Sequence, residues 1–135
     1  MVLWHMKKQI KQIPPLSTLM IEPLVRATLL EDLGRAGDIT SDAIIPSDVQ
    51  SELYLVAREA GVLAGLDLAR LAFTLVDSEI HFEALLKDGA RLEKGSRIAR
   101  ISGSARAILT AERTALNFLC HLSGIASVTT NIADS

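Results

Sequence analysis

Thiols, long apolar runs and a surplus of either charge are all scarce in this chain. A single cysteine, Cys120, stands among 135 residues, which excludes an intramolecular disulfide and a thiolate metal cluster built within one chain. No window approaches the roughly 18 consecutive apolar residues of a membrane span. The opening stretch "MVLWHMKKQIKQIPPLS" is interrupted by Lys7, Lys8 and Lys11 and lacks the apolar centre of a signal peptide. Basic and acidic residues number 14 and 16, for a net charge of −2, and no basic cluster exceeds the pair Lys7-Lys8. Nothing in that balance suggests nucleic acid. The glycines at 61, 65, 89, 95 and 103 read as turns, and none begins a phosphate loop with a following Lys-Ser or Lys-Thr. His81 and His121 are isolated from other ligand types, so a protein-held metal is not expected. No internal repeat or low-complexity tract occurs. The expectation is a soluble, cytoplasmic chain.

What is present is core material. Hydrophobic residues make up 49% and charged residues 22%, enough for a packed domain of ordinary size. Residues 1–20 read as an arm, because Pro14-Pro15 forbids helix there. A helix fits Pro23 to Leu33, with Leu24, Val25, Thr28 and Leu29 on one face, Pro23 in the first turn and Gly34 closing the end. A Gly-, Asp- and Thr-rich loop follows. "SELYLVARE" alternates as a strand, with Leu53, Leu55 and Ala57 on one side. "LDLARLAFTLVD" is an amphipathic helix aligning Leu68, Leu71, Ala72 and Leu75. "SEIHFEALLKDG" returns to strand and ends at the favoured turn pair Asp88-Gly89, and "RIARISG" is another short strand. Beyond Gly103 the pattern is helical to the end, save for a break at Ser123-Gly124. The order predicts an α+β domain over 21–104 and a helical segment over 105–135. That last segment lacks a cap, a breaker or a following strand, so the C-terminus is expected to be unfinished.

The helical stretch "AERTALNFLCHLSGIAS" poses the main question. On a wheel of about 100° per residue, Ile108, Ala115, Leu116, Leu119 and Leu122 form a continuous apolar face. Arg106, Thr110, Arg113, Asn117 and His121 fall opposite, within an arc of roughly 80°. Arg113 and Asn117 are one turn apart and are neighbours. Glu112 points toward the apolar side and is expected to need a buried partner or a helix-end contact. The stripe therefore offers two guanidinium groups, an amide and a hydroxyl with no local anion. Periodicity alone fits a solvated face as well as an anion site, although the planar fork of arginine suits a carboxylate or phosphate. Cys120, beside the apolar face, reads as a small core residue.

The wording of two motifs goes further. "AERTALNFLCHLSGIAS" resembles the segment that opens the barrel of the quinolinate phosphoribosyltransferases, and "LLEDLGRAGDITSDAIIP" is similar to that family's early loop. "REAGVLAGLDLARLAF" and "LKDGARLEKGSRIARISGSARAIL" are similar to the strands and helix between them. The resemblance runs from about residue 20 to residue 130, and the two motifs stand in the right order. It implies an N-terminal open-faced α/β sandwich, half lipoyl-like, followed by the opening helix of a truncated α/β barrel. It also implies an enzyme that joins quinolinate to phosphoribosyl pyrophosphate with Mg²⁺, releasing pyrophosphate and CO2 and leaving nicotinate mononucleotide. The resemblance further implies a homodimer, or a larger homo-oligomer, in which the "ERT" arginine of one subunit meets quinolinate in its neighbour. That arginine matches Arg113, and Asn117 and Arg106 are further candidates beside it. The family's other site residues, including those on the metal side, belong to the barrel beyond Ser135, so the chain by itself is expected to be inactive. After Ser127, "VTTNIADS" departs from the family's pattern. Asp38 and Thr40 in "GDITS" read as a self-satisfied turn. Three rivals stand beside this reading: a nicotinate-type or molybdate-transport-linked paralogue, a non-catalytic interaction module, and a biotinyl or lipoyl carrier. The carrier is rejected because its tip turn, "AREAGVLA", holds no lysine.

Overall fold

The computed structural model describes residues 17–36, 46 and 48–132; Asp38, Thr40 and the Pro14-Pro15 pair lie outside the described residues. The elements are α1 (Thr18–Ala36), β1 (Gln50–Ala57), β2 (Gly61–Val62), α2 (Leu66–Val76), β3 (His81–Ala84), β4 (Arg91–Leu92), β5 (Arg97–Ser104), α3 (Ala105–Ser123) and β6 (Val128–Ile132). Four strands form an antiparallel sheet in the order β3-β5-β1-β6, and β2 pairs with β4 apart from it.

Strand register explains the layers. Leu53 of β1 faces Ile101 of β5, which faces Phe82 of β3, and Leu55 faces Ala99. Side chains directly opposite one another share a sheet face, so these residues make one apolar surface. They join a single buried cluster with Phe73 of α2, Ile108 and Leu119 of α3, and Ile21, Val25 and Leu29 of α1. Phe73 and Phe82 hold helix to sheet with ring centroids 6.0 Å apart. The opposite sheet face is polar: Tyr54 faces Arg100, and Arg100 faces Glu83. There the Arg100 guanidinium donates to Glu52 and lies 3.7 Å from Glu83. The hydrogen bond to Glu52, and then that carboxylate's charge, hold the Arg100 pKa above the usual value.

Three expectations need correction. The first helix starts at Thr18, five residues before Pro23, which sits inside it. The proline is tolerated on the exposed side, at the cost of the hydrogen bond its nitrogen cannot make. The buried face of α1 is Ile21, Val25 and Leu29, spaced by four, while Leu24 is left 55% exposed. The helical pattern also fails after Ser123: Gly124 closes α3 with φ 68°, and Val128–Ile132 forms β6 along β1. Val128, Thr129 and Thr130 are β-branched, which favours strand, and the edge of β1 offers unpaired backbone groups to receive them. Gly61 is likewise no turn residue, since it lies in β2 with Ile125 packed where a Cβ would be.

The start of α2 needs a true glycine. Gly65 has φ 91°, and its side supports Leu122 of α3, whose Cδ1 would lie 2.7 Å from an added Cβ. Asp88 Oδ1 accepts from the Leu66 N–H at 3.2 Å, satisfying one of the donors left over at the helix start. Gly65→Ala should therefore cost about 2–4 kcal/mol in urea unfolding, combining left-handed strain with overpacking. Gly89→Ala, at φ 93° with open space around it, should cost only the strain, about 1–2 kcal/mol. Equal losses would remove the Leu122 contact from this account.

Candidate functional site

Helix α3 decides what the domain presents. Ser104 caps it, its hydroxyl accepting from the Ala107 N–H at 3.4 Å. Ile108, Ala111, Ala115 and Leu119 are buried. Leu116 is only half-buried and Leu122 is 50% exposed, so the apolar face is narrower than the wheel suggests. Arg113, Asn117 and His121 are exposed on the other side. Arg106 and Thr110 are half-buried, and the Thr110 hydroxyl donates to the Arg106 carbonyl at 2.9 Å. The N-terminal part of the expected stripe is thus turned to the protein's own use, and Arg106 has contacts of its own.

Arg113 and Asn117 border an open concavity of ≈ 490 Å³ between α3 and the turn into β6. Leu109, Leu116 and Val128 give it apolar walls, and Glu112, Cys120 and Ser127 also line it. Glu112 is therefore not turned away from Arg113, as the wheel suggests. It is half-buried, and its Oε1 accepts from the Thr130 hydroxyl at 3.1 Å, the partner that a semi-buried carboxylate requires. Strand β6, absent from the sequence-based reading, supplies that partner.

The arginines divide by company. Arg26 faces Glu22 at 3.3 Å, Arg70 faces Asp67 at 3.8 Å, Arg97 lies 4.4 Å over the Tyr54 ring, and Arg100 sits between two glutamates. Among the described residues Arg113 forms no ion pair, although Glu112 is its chain neighbour. Arg58 and Arg91 also lack a carboxylate partner, but neither borders this concavity. A guanidinium with no internal partner, an amide one turn away and apolar walls can grip a planar carboxylate by paired hydrogen bonds. The described residues contain no grouping of three or more His, Cys, Asp or Glu able to hold a metal ion.

Long-range contacts that sequence reasoning missed fix the rotation of α3. The Ser123 hydroxyl accepts from the Ala64 N–H at 3.0 Å and donates to the Ala64 carbonyl at 3.1 Å. Thr114, 1% exposed, donates to Asp32 of α1. Glu59 accepts from the Ala126 N–H just past the helix end. The one signal in the sequence was the small pair Gly61 and Gly65, whose missing side chains admit Ile125 and Leu122.

The fold is that of an amino-terminal domain of the phosphoribosyltransferases: residues 38–123 match the family model described as "Quinolinate phosphoribosyl transferase, N-terminal domain". The chain belongs to the quinolinate phosphoribosyltransferase family. It is 39% identical over 122 residues to the chloroplastic nicotinate-nucleotide pyrophosphorylase (carboxylating) of Arabidopsis thaliana, covering 90% of this chain and 35% of the relative. It is 42% identical over 113 residues to the corresponding protein of Mycobacterium leprae, covering 82% and 40%. Among solved structures, NadC from Streptococcus pyogenes superposes with a TM-score of 0.79 at 44% identity, over 85% of this chain and 41% of that one. The nicotinate-nucleotide pyrophosphorylase of Francisella tularensis gives 0.71 at 34% identity, over 80% and 38%. The chain thus spans 35–41% of the length of these relatives.

Replacing Ser123 tests the seating of α3. Ser123→Ala leaves the Ala64 N–H and carbonyl without their partner, so unfolding free energy should fall by about 1–3 kcal/mol in denaturant titration. An unchanged midpoint would show that water replaces the hydroxyl at no cost.

Proposed function

We propose that this chain is the N-terminal part of an enzyme that converts quinolinate and phosphoribosyl pyrophosphate to nicotinate mononucleotide, pyrophosphate and CO2 in NAD biosynthesis. The observation that carries the reading is Arg113, exposed at the concavity and without a carboxylate of its own among the described residues. Family membership supports it, because the relatives named above bear this activity in their names. Residues 21–104 act in this reading as an open-faced sandwich and residues 105–135, whose β6 pairs with β1 of that sandwich, as the segment that leads into a barrel. Residues 1–20 precede them, with 18–20 already part of α1.

The chemistry gives an uncompensated cation its purpose. The pyridine nitrogen of quinolinate attacks the anomeric carbon of the ribose as the bond to pyrophosphate breaks. That bond change requires the ring to be held in line, which is a task of positioning. Loss of CO2 then leaves an electron pair on the ring carbon, stabilised by the adjacent pyridinium until a proton replaces the carboxylate. Arg113 grips a carboxylate through its two-pronged donor set and takes no part in proton transfer. Asn117, one turn along, adds an amide to the same wall, whereas Arg106 lies outside the concavity. Because Arg113 faces outward, its ligand is held against the neighbouring subunit of a homodimer or larger homo-oligomer. Mg²⁺ accompanies the pyrophosphate donor; the described residues do not fit it, and no step here runs through it. No helix of the described residues is long and apolar enough to cross a membrane. Action in the cytoplasm belongs to the same proposal.

In a complete enzyme carrying this segment as its N-terminal domain, Arg113→Ala should raise the KM for quinolinate roughly 10- to 150-fold, the worth of hydrogen bonds to a charged group. The KM for the pyrophosphate donor should stay within about twofold, since the lost contact belongs to the other substrate. Subunits carrying Arg113→Ala, mixed with subunits disabled on the barrel, should regain activity. Equal losses for both substrates, or inactive hybrids that demonstrably form, would refute the assignment.

A further inference from the structure

The structure places a second residue pair directly behind Arg113. Thr114 follows it on α3, turned about 100° around the helix, and its buried hydroxyl donates to Asp32 on α1. The partners stand 82 positions apart in the chain. We propose that Asp32 and Thr114 are positioning residues for Arg113, fixing the rotation and axial setting of α3 where the guanidinium leaves it. The proposal rests on the role given above to Arg113.

The reason lies in what a helical threonine ordinarily does. Its hydroxyl can always bond the carbonyl four residues earlier, and in this molecule Thr28, Thr74 and Thr110 do so, to Leu24, Arg70 and Arg106 at 2.8, 3.1 and 2.9 Å. Local satisfaction was therefore open to Thr114 as well. Instead its proton goes to a carboxylate on another helix. A local bond would leave α3 able to rotate against α1, whereas a cross-helix bond does not. The apolar packing between α1 and α3 is non-directional and tolerates small rotations. A charge-assisted hydrogen bond has a narrow distance and angle, and at the midpoint of α3 it converts a rotation into a broken contact. Rotation matters here because a turn by one position, about 100°, would carry Arg113 to where its chain neighbours stand, Glu112 half-buried and Thr114 buried.

The test uses the complete enzyme with this segment as its N-terminal domain. Thr114→Val keeps shape and removes the proton; Asp32→Ala removes the acceptor. Both should raise the quinolinate KM about 10-fold, with kcat and the KM for the pyrophosphate donor within about twofold, as loss of binding to one substrate requires. Thr114→Ser and Asp32→Asn, which keep a donor and an acceptor, should recover most of the loss. In an Arg113→Ala background, Thr114→Val should add nothing, since residues acting as a unit are non-additive. A purely structural bond would instead lower thermal stability while leaving the quinolinate KM alone, or would raise it equally with and without Arg113; either result overturns the proposal. If Arg113→Ala itself leaves the quinolinate KM unchanged, the functional reading fails first. The pair is then judged by the side-chain Nε–Hε resonance of Arg113 in the 135-residue chain. A shift in Thr114→Val that Arg26 and Arg70 do not share sustains the positioning claim, and no shift refutes it.

Discussion

One hydroxyl sets the geometry on which the site depends. Ser123 Oγ bonds both the N–H and the carbonyl of Ala64, so the end of α3 is fixed to the segment before α2 in distance and in rotation at once. A helix turns about 100° per residue; a slip of one position would carry Arg113 toward the interior and bring Thr114 or Glu112 to the mouth. Gly61 and Gly65 make the clasp possible by leaving room for Ile125 and Leu122. With one end pinned there and the middle tied to Asp32, the outward direction of Arg113 is a consequence of packing and not a choice of side-chain rotamer alone.

Polar groups near α3 are spent in a consistent way. Thr114 reaches Asp32, Glu112 takes the Thr130 hydroxyl, and no buried side-chain nitrogen or oxygen among the described residues is left without a hydrogen bond. Glu112, the acid next to Arg113 in the chain, is thereby engaged by a neutral donor. Were Glu112 to close on Arg113 instead, a ligand carboxylate would have to break that pair before binding. The sheet's polar face shows the contrasting arrangement, where Arg100 is shared between Glu52 and Glu83 and has nothing to offer a third anion. The two guanidinium groups differ in partners, and that difference separates a solvated sheet face from a candidate site.

Periodicity revealed those elements whose burial follows their own pattern. β1, with Leu53, Leu55 and Ala57 inward, matches its sequence pattern, and α2 does so in part: Leu68 and Ala72 are buried as expected, but Leu71 and Leu75 are only half-buried, and Ala69 and Phe73 are buried in their place. It failed where the outcome is tertiary. α1 carries apolar residues all round, Leu19 and Met20 outward and Ile21 and Val25 inward, so neither its start nor its buried face could be read from spacing. β6 forms because the edge of β1 lies open to it, which no local window contains. At the candidate site, the exposure of Arg113 and Asn117 on one side of α3 was legible from a wheel. The ties from Asp32, Thr130 and Ser123 were not, because each joins residues far apart in sequence. Arg106, half-buried with contacts of its own and its carbonyl taken by Thr110, lies outside the concavity, which its place on the stripe could not show.

The same geometry limits what the domain can do before anything covers it. Arg113 is exposed, so its attraction for a carboxylate at about 4 Å is only about 1 kcal/mol in water. Close the concavity and exclude the solvent, and an effective dielectric near 20 raises that figure to about 4 kcal/mol. The apolar walls formed by Leu109, Leu116 and Val128 are the part of such an enclosure that this chain provides. The remaining wall must come from outside them. Under the proposed function, discrimination for a doubly charged pyridine would be a property of the assembled site: the domain would contribute an exposed cation, and the covering surface the low dielectric that makes that cation selective.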